Sequence, residues 1–138
     1  MTAGILARLE TAALLIGVLA LAYWICTRIV LARARQGASG FRRFRRGTPG
    51  VVFFTTPDCM TCKAAQVPAL RALTERLSGE VQLIEVDAVQ DAGVAKEWNV
   101  LSVPTTFILD REGTPRHVNH GFASTEKLFN QIQALGQA

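Results

Sequence analysis

The hydrophobic pattern splits this chain of 138 residues into one unbroken apolar stretch and a longer region of alternating short apolar runs. Ala12 to Cys26 is fifteen residues without a charge. As a helix that is roughly 22 Å, short of a hydrocarbon core of about 30 Å. Continuing through Thr27-Arg28-Ile29-Val30-Leu31-Ala32 supplies the length if the Arg28 side chain reaches back to the headgroups, with Tyr23 and Trp24 near that interface. The pattern predicts a single transmembrane helix. A cleaved signal peptide competes, but its small-residue site, Ala32-Arg33-Ala34, is interrupted by Arg and lies in a basic flank. Cys26 follows Trp24-Ile25 rather than a small residue, which reads as an apolar thiol and not a lipid attachment site.

From Gly50 onward the period alternates between strand and helix. Val51–Thr55 reads as a buried strand, Cys59 to about Leu77 as a helix, Val81–Val86 as a second strand and Asp91–Trp98 as a short helix. Thr105–Leu109 is a third strand, Asp110-Arg111-Glu112-Gly113 a hairpin turn and Arg116–His120 its partner. A helix over Thr125–Leu135 closes the chain, with Ser124 as its cap and Glu126 in its first turn. The order is β-α-β-α-β-β-α, and no internal repeat interrupts it.

Charge sharpens the division. Residues 1–46 hold eight Arg and one Glu, a net +7, whereas residues 47–138 hold seven Lys or Arg against ten Asp or Glu, a net −3. That asymmetry argues against nucleic-acid binding by the folded part and places the basic surface beside the apolar stretch. Arg8 precedes the span, while Arg28, Arg33, Arg35, Arg42, Arg43, Arg45 and Arg46 follow it, so the positive-inside rule puts the C-terminal domain on the cytoplasmic side. In Phe41-Arg42-Arg43-Phe44-Arg45-Arg46 the arginines suit anionic headgroups and the phenylalanines the interface; a solvated linker or an edge strand explains the run equally well. Gly37, Ser39, Gly40, Gly47, Pro49 and Gly50 mark the connection as flexible.

The candidate chemistry is Cys59-Met60-Thr61-Cys62, set between an apolar strand, a Thr56-Pro57-Asp58 turn and a helix. Two cysteines three apart at a helix start can close a small disulfide, and the helix terminus favours the first thiolate. With Cys26 in the apolar stretch, a structural disulfide framework is excluded, and a zinc site lacks a second pair of cysteines. His117 and His120 are the only histidines that could complete one, and each reads as a surface histidine.

Phe53-Phe54-Thr55-Thr56-Pro57-Asp58-Cys59-Met60-Thr61-Cys62-Lys63, Pro68, Val86-Asp87, Val103-Pro104-Thr105 and Gly121 together resemble the thioredoxin family over about residues 50–136. The resemblance implies an α/β three-layer fold with a central mixed β-sheet, here preceded by a single N-terminal transmembrane helix. Residues 1–32 are expected as the anchor, 33–49 as an Arg-rich juxtamembrane linker and 50–138 as the domain. It further implies that Cys59 attacks and Cys62 resolves, that Pro68 kinks the active-site helix, and that Pro104 is cis. Val103, Pro104 and Thr105, with Asp58, would then receive an extended substrate segment.

Departures from the family are specific. Asp58 precedes the pair where a Trp is usual, and Met60-Thr61 replaces Gly-Pro. Asp58 opposes and Lys63 assists the depression of the Cys59 pKa. Phe53 stands where a buried acid usually relays protons to the resolving cysteine, so water or another group must serve and a slower reductase is expected. The Cys62–Pro68 spacing is one residue longer than usual. The family's first strand and helix are expected to be replaced by the basic linker. The expected activity is protein disulfide reduction with no cofactor, with protein disulfides, a thiol reductant and the lipid bilayer as partners. The same chemistry on the extracytoplasmic side, on exported proteins or maturing cytochromes, is one alternative, and a non-catalytic interaction module is another.

Overall fold

The computed structural model of the protein describes residues 2–38 and 41–136. Helix α1 (Thr2–Ala38) is followed by β1 (Gly50–Thr55), a π-helical turn (Cys62–Gln66), α2 (Val67–Arg76) and β2 (Gln82–Asp87). Then come α3 (Ala92–Glu97), β3 (Thr105–Leu109), β4 (Pro115–His120) and α4 (Thr125–Leu135). The four strands form one mixed sheet in the order β2-β1-β3-β4, with β1 and β2 parallel and the other pairs antiparallel. This is the thioredoxin-like fold the residues predicted.

Strand β1 is buried along its whole length because it is central and covered on both faces. Its side chains alternate: Val52 and Phe54 enter one core with Trp98, Phe107 and Leu109, and Val51 and Phe53 enter the other with Cys62, Leu70 and Leu128. In β2, at the edge, Ile84 and Val86 are buried while Leu83 and Glu85 face out. Helices α1 and α3 cover the first face and α2 and α4 the second.

The N-terminal region departs from its expected division. Helix α1 does not end near residue 32; it continues unbroken to Ala38, and Val30, Leu31 and Ala34 are buried in the domain core. Apolar side chains that were expected to face lipid are used against the sheet, so the exposed apolar part ends at about Ile29. Residues 33–38 are therefore helix rather than linker. Ser39 and Gly40, expected to add flexibility, lie outside the described residues, as do residues 137 and 138 of the expected domain. Beyond them Phe41 stacks edge-on against Trp98 at 5.3 Å, and Phe44 sits over Gly50 and Gly113. A Cβ at Gly50 would meet the Phe44 ring at 2.9 Å. The two phenylalanines are half-buried against the domain rather than free to enter a bilayer, since its apolar surface lies within their reach. The Gln82 side chain clamps the same segment: its Nε2 donates to the carbonyls of Arg45 (2.6 Å) and Thr48 (2.9 Å), and its Oε1 accepts from the Arg45 N–H. Arg43 pairs with Asp91 at 3.1 Å.

The helix expected from Cys59 starts one residue later, and its second turn is π-helical: the Val67 N–H reaches the Cys62 carbonyl, five residues back. The extra residue between Cys62 and Pro68 is absorbed there, as a single wide turn. Pro68 then falls at the second position of α2, directly after that wide turn in a continuous helix.

Candidate active site

Cys59 and Cys62 sit where β1 hands over to the helical layer. The turn after Thr55 closes with the Cys59 N–H donating to the Thr56 carbonyl (3.1 Å), and the Lys63 N–H donating to the Cys59 carbonyl (3.2 Å) starts the helix. The two sulfurs are joined at 2.09 Å. Their environments differ. Cys62 is fully buried beside Phe53, Leu70 and Ala123, whereas Cys59 is partly exposed and followed by the exposed Met60 and Thr61. The Cys62 N–H donates to the Cys59 sulfur at 3.2 Å, so a helix-terminal amide dipole already points at the atom that would carry negative charge. Asp58 and Lys63 are both exposed, where water screens their effect on it.

The Val103–Pro104 segment lies at the same end of the sheet, because β1 and β3 are paired neighbours with Phe54 opposite Thr105. The Val103–Pro104 peptide is cis, and the Pro104 carbonyl accepts from the Gly121 N–H at 2.8 Å. Val103 is half-buried, Pro104 and Thr105 are buried, and the Thr105 hydroxyl donates to the Ser102 carbonyl (2.7 Å). Thr56 and Val103 also line a mainly apolar groove of about 460 Å³ with Ala92, Ala95, Lys96 and Leu101, which runs along α3; neither cysteine lines it. Asp58 stands exposed next to Cys59.

Sequence reasoning missed Gln66. It is fully buried one π turn after Cys62, its Nε2 donates to the Ala123 carbonyl (3.1 Å) and its Oε1 accepts from the Ala123 N–H (2.8 Å). That paired contact ties the loop after β4 to the cysteine helix. The only signal was a polar residue at an apolar helical position. His117 is half-buried on β4, and burial pushes its pKa below the ordinary histidine value. His120 is exposed, and no group of three close metal-ligating side chains occurs among the described residues.

Fold and site define a thioredoxin-class redox domain. The Thioredoxin family model matches residues 43–134, and the chain belongs to that family. It is 28% identical over 86 residues to the chloroplastic thioredoxin Y of Oryza sativa subsp. japonica, covering 62% of this chain and 50% of the rice protein. A thioredoxin of Aspergillus fumigatus is 34% identical over 89 residues, covering 62% and 80% of the two chains. Among solved structures, Fasciola hepatica thioredoxin matches with a TM-score of 0.56 at 27% identity, over 64% of this chain and 82% of its own. Chloroplastic thioredoxin z matches with a TM-score of 0.61 at 19% identity, over 67% and 82%, a likeness of fold alone. The chain thus spans about half the length of the rice relative, and these alignments extend over roughly two thirds of this chain. Homology supports thiol-disulfide oxidoreductase activity in general terms.

Proposed function

We propose that the protein is a membrane-anchored oxidoreductase that reduces protein disulfides with the Cys59–Cys62 dithiol. The observation that carries this reading is the asymmetry of the pair: a reachable Cys59 sulfur facing a helix-terminal N–H, and a Cys62 sulfur shielded behind it. The Cys59 thiolate attacks one sulfur of a substrate disulfide, forming a mixed disulfide and expelling a substrate thiolate that takes up a proton. Cys62, on losing its proton, then attacks the Cys59 sulfur, releases the second substrate thiol and leaves the Cys59–Cys62 disulfide. Two electrons pass to the substrate, and a dithiol reductant returns them in the reverse exchange. Phe53 offers no proton acceptor beside Cys62, so water reaching the pair must take the proton, which slows the resolving step. Val103, through its backbone next to Pro104, pairs with an extended substrate segment, with Thr105 holding the loop and Asp58 at its rim.

The exposed apolar part of α1, with its uncharged stretch, serves as the anchor, and the excess of arginine after it favours the cytoplasmic side. In that compartment thiols are kept reduced, which sets the direction as reduction. Turnover of insulin by the detergent-solubilised full chain with dithiothreitol tests the chemistry. Cys62→Ser should trap substrate as a mixed disulfide and Cys59→Ser should not; trapping by Cys59→Ser alone, or undiminished turnover in both variants, refutes the assignment of roles. A membrane-impermeant thiol reagent applied to intact cells tests the side. Labelling of reduced Cys59 from outside would place the same chemistry among exported proteins.

A further inference from the structure

We infer that the end of the domain carrying Cys59 and Cys62 lies against the bilayer that α1 enters, with Met60, Val89, Leu101 and Phe122 in the headgroup layer. This rests on α1 being a membrane anchor. The first support is the path of α1. Near its C-terminus Arg35 Nε donates to the carbonyl of Pro115, the first residue of β4, at 3.5 Å, and the following segment sets Phe44 over Gly50, the first residue of β1, and over Gly113 in the β3–β4 turn. These contacts lie at the end of the sheet remote from the cysteines. The helix therefore descends across β4 and α3 toward that remote end, and followed in the other direction its apolar part rises past the end where β1 delivers Cys59.

The second support is the missing spacer. Residues 11–27 carry no charge, Arg28 stacks on Trp24 at 4.9 Å, and Val30 is already buried in the domain. From Arg28 to Val30 the helix rises about 3 Å, less than the roughly 6 Å depth of one headgroup layer. A helix unbroken through this junction cannot carry the domain away from the surface. The third support is the distribution of exposed apolar side chains. Outside α1 the large ones among the described residues are Met60, Leu83, Val89, Leu101 and Phe122. Four of these five sit at the cysteine end: Met60 at the helix start between the cysteines, and the others in the loops after β2, before Pro104 and after β4. Leu101 is 85% exposed and Met60 72%. Bulky apolar loops beside a membrane helix fit the interface, where apolar side chains partition among the headgroups. The disulfides within reach are then those held at the membrane surface by their own membrane segments, rather than those of freely diffusing proteins.

Spin labels on the full chain in phosphatidylcholine–phosphatidylglycerol nanodiscs test this. In a Cys26→Ser, Cys59→Ser, Cys62→Ser background, labels at Leu101→Cys, Phe122→Cys and, as the remote end, Glu112→Cys are compared for collision with lipid-soluble oxygen and with an aqueous nickel chelate. The expected result is an oxygen-to-nickel ratio several-fold higher at 101 and 122 than at 112. Equal ratios at the three positions, or a higher ratio at 112, overturn the inference. A fourth label at Val18→Cys separates the two levels. If it is in lipid while 101 and 122 are in water, the anchor stands and the orientation fails; if it too is in water, the anchor and the orientation fail together.

Discussion

The two faces of the sheet are built from different materials. On the α1 and α3 face, Phe41, Phe54, Trp98 and Phe107 stack at centroid distances of 5.0–5.8 Å in an aromatic cluster. Among the described residues the Trp98 Nε1 there finds no hydrogen-bond partner. On the α2 and α4 face, the core around Cys62 is aliphatic apart from Phe53 and the partly buried Phe129, and it holds a buried polar clamp, Gln66 on the Ala123 backbone. One face seats a helix by bulk; the other positions a reactive pair by directional bonds. The sheet between them lets the helix dock without disturbing the cysteines, because successive residues of β1 point to opposite sides.

Breaking the aromatic face should cost most. Trp98→Ala removes the ring that Phe41, Phe54 and Phe107 all pack against, and a loss of about 3–5 kcal/mol is expected in urea unfolding of the solubilised chain. The release of Phe41 should leave the 41–49 segment open to proteolysis. A loss below that of an ordinary surface change would show that α1 is not seated by this cluster. Gln66→Leu keeps the volume but strands the Ala123 N–H and carbonyl, for about 2 kcal/mol, and should also loosen the loop after Gly121 in hydrogen exchange. If that loop keeps its protection, the clamp is replaceable by packing and the two faces differ less than their bonding suggests.

Asp110, at the β3–β4 turn, sharpens the comparison from outside both cores. Burial pushes its carboxyl up, but the Thr114 N–H, the Arg116 guanidinium at 2.6 Å and the Glu112 N–H together hold it below the ordinary carboxylate value. Its folded pKa is depressed, so its contribution is complete above the unfolded value of about 3.9 and is lost as pH falls through the folded value. Asp110→Asn should therefore cost about 1 kcal/mol at pH 7 and converge on the parent chain in acid, as measured by urea midpoints across pH. A gap that persists below the folded value would mean the turn geometry, not the charge, is responsible. Arg43→Ala should matter least, at most about 1 kcal/mol and less in high salt, because the Arg43–Asp91 pair is largely exposed.

Much of this fold was legible in the chain. The seven elements after Gly50 appear in the predicted order, and the last helix has its predicted bounds with the Lys127 N–H donating to the Ser124 hydroxyl oxygen. Strand alternation and turn residues are local, so they survive in a linear reading. Cys59 and Cys62 were legible for the same reason, and Val103–Pro104 through its resemblance to a family motif. What was illegible depended on distant partners. Val30, Leu31 and Ala34 look the same in a sequence whether lipid or Trp98 covers them, and Phe41 and Phe44 suit a membrane interface as well as a protein surface. Gln66 looks like any helical glutamine until Ala123 arrives beside it.

The sequence by itself determined the strand and helix order, the redox pair and the apolar helix, since each is written in residues close together along the chain. Tertiary structure alone decided where that helix stops being exposed and becomes core, how the extra residue before Pro68 is taken up as a π turn, and which sulfur is shielded. The physical reason is common to all three. Burial belongs to the surroundings of a side chain, and those are assembled from residues far apart in the chain, when the sheet brings α1, Trp98, Gln66 and Ala123 to their places.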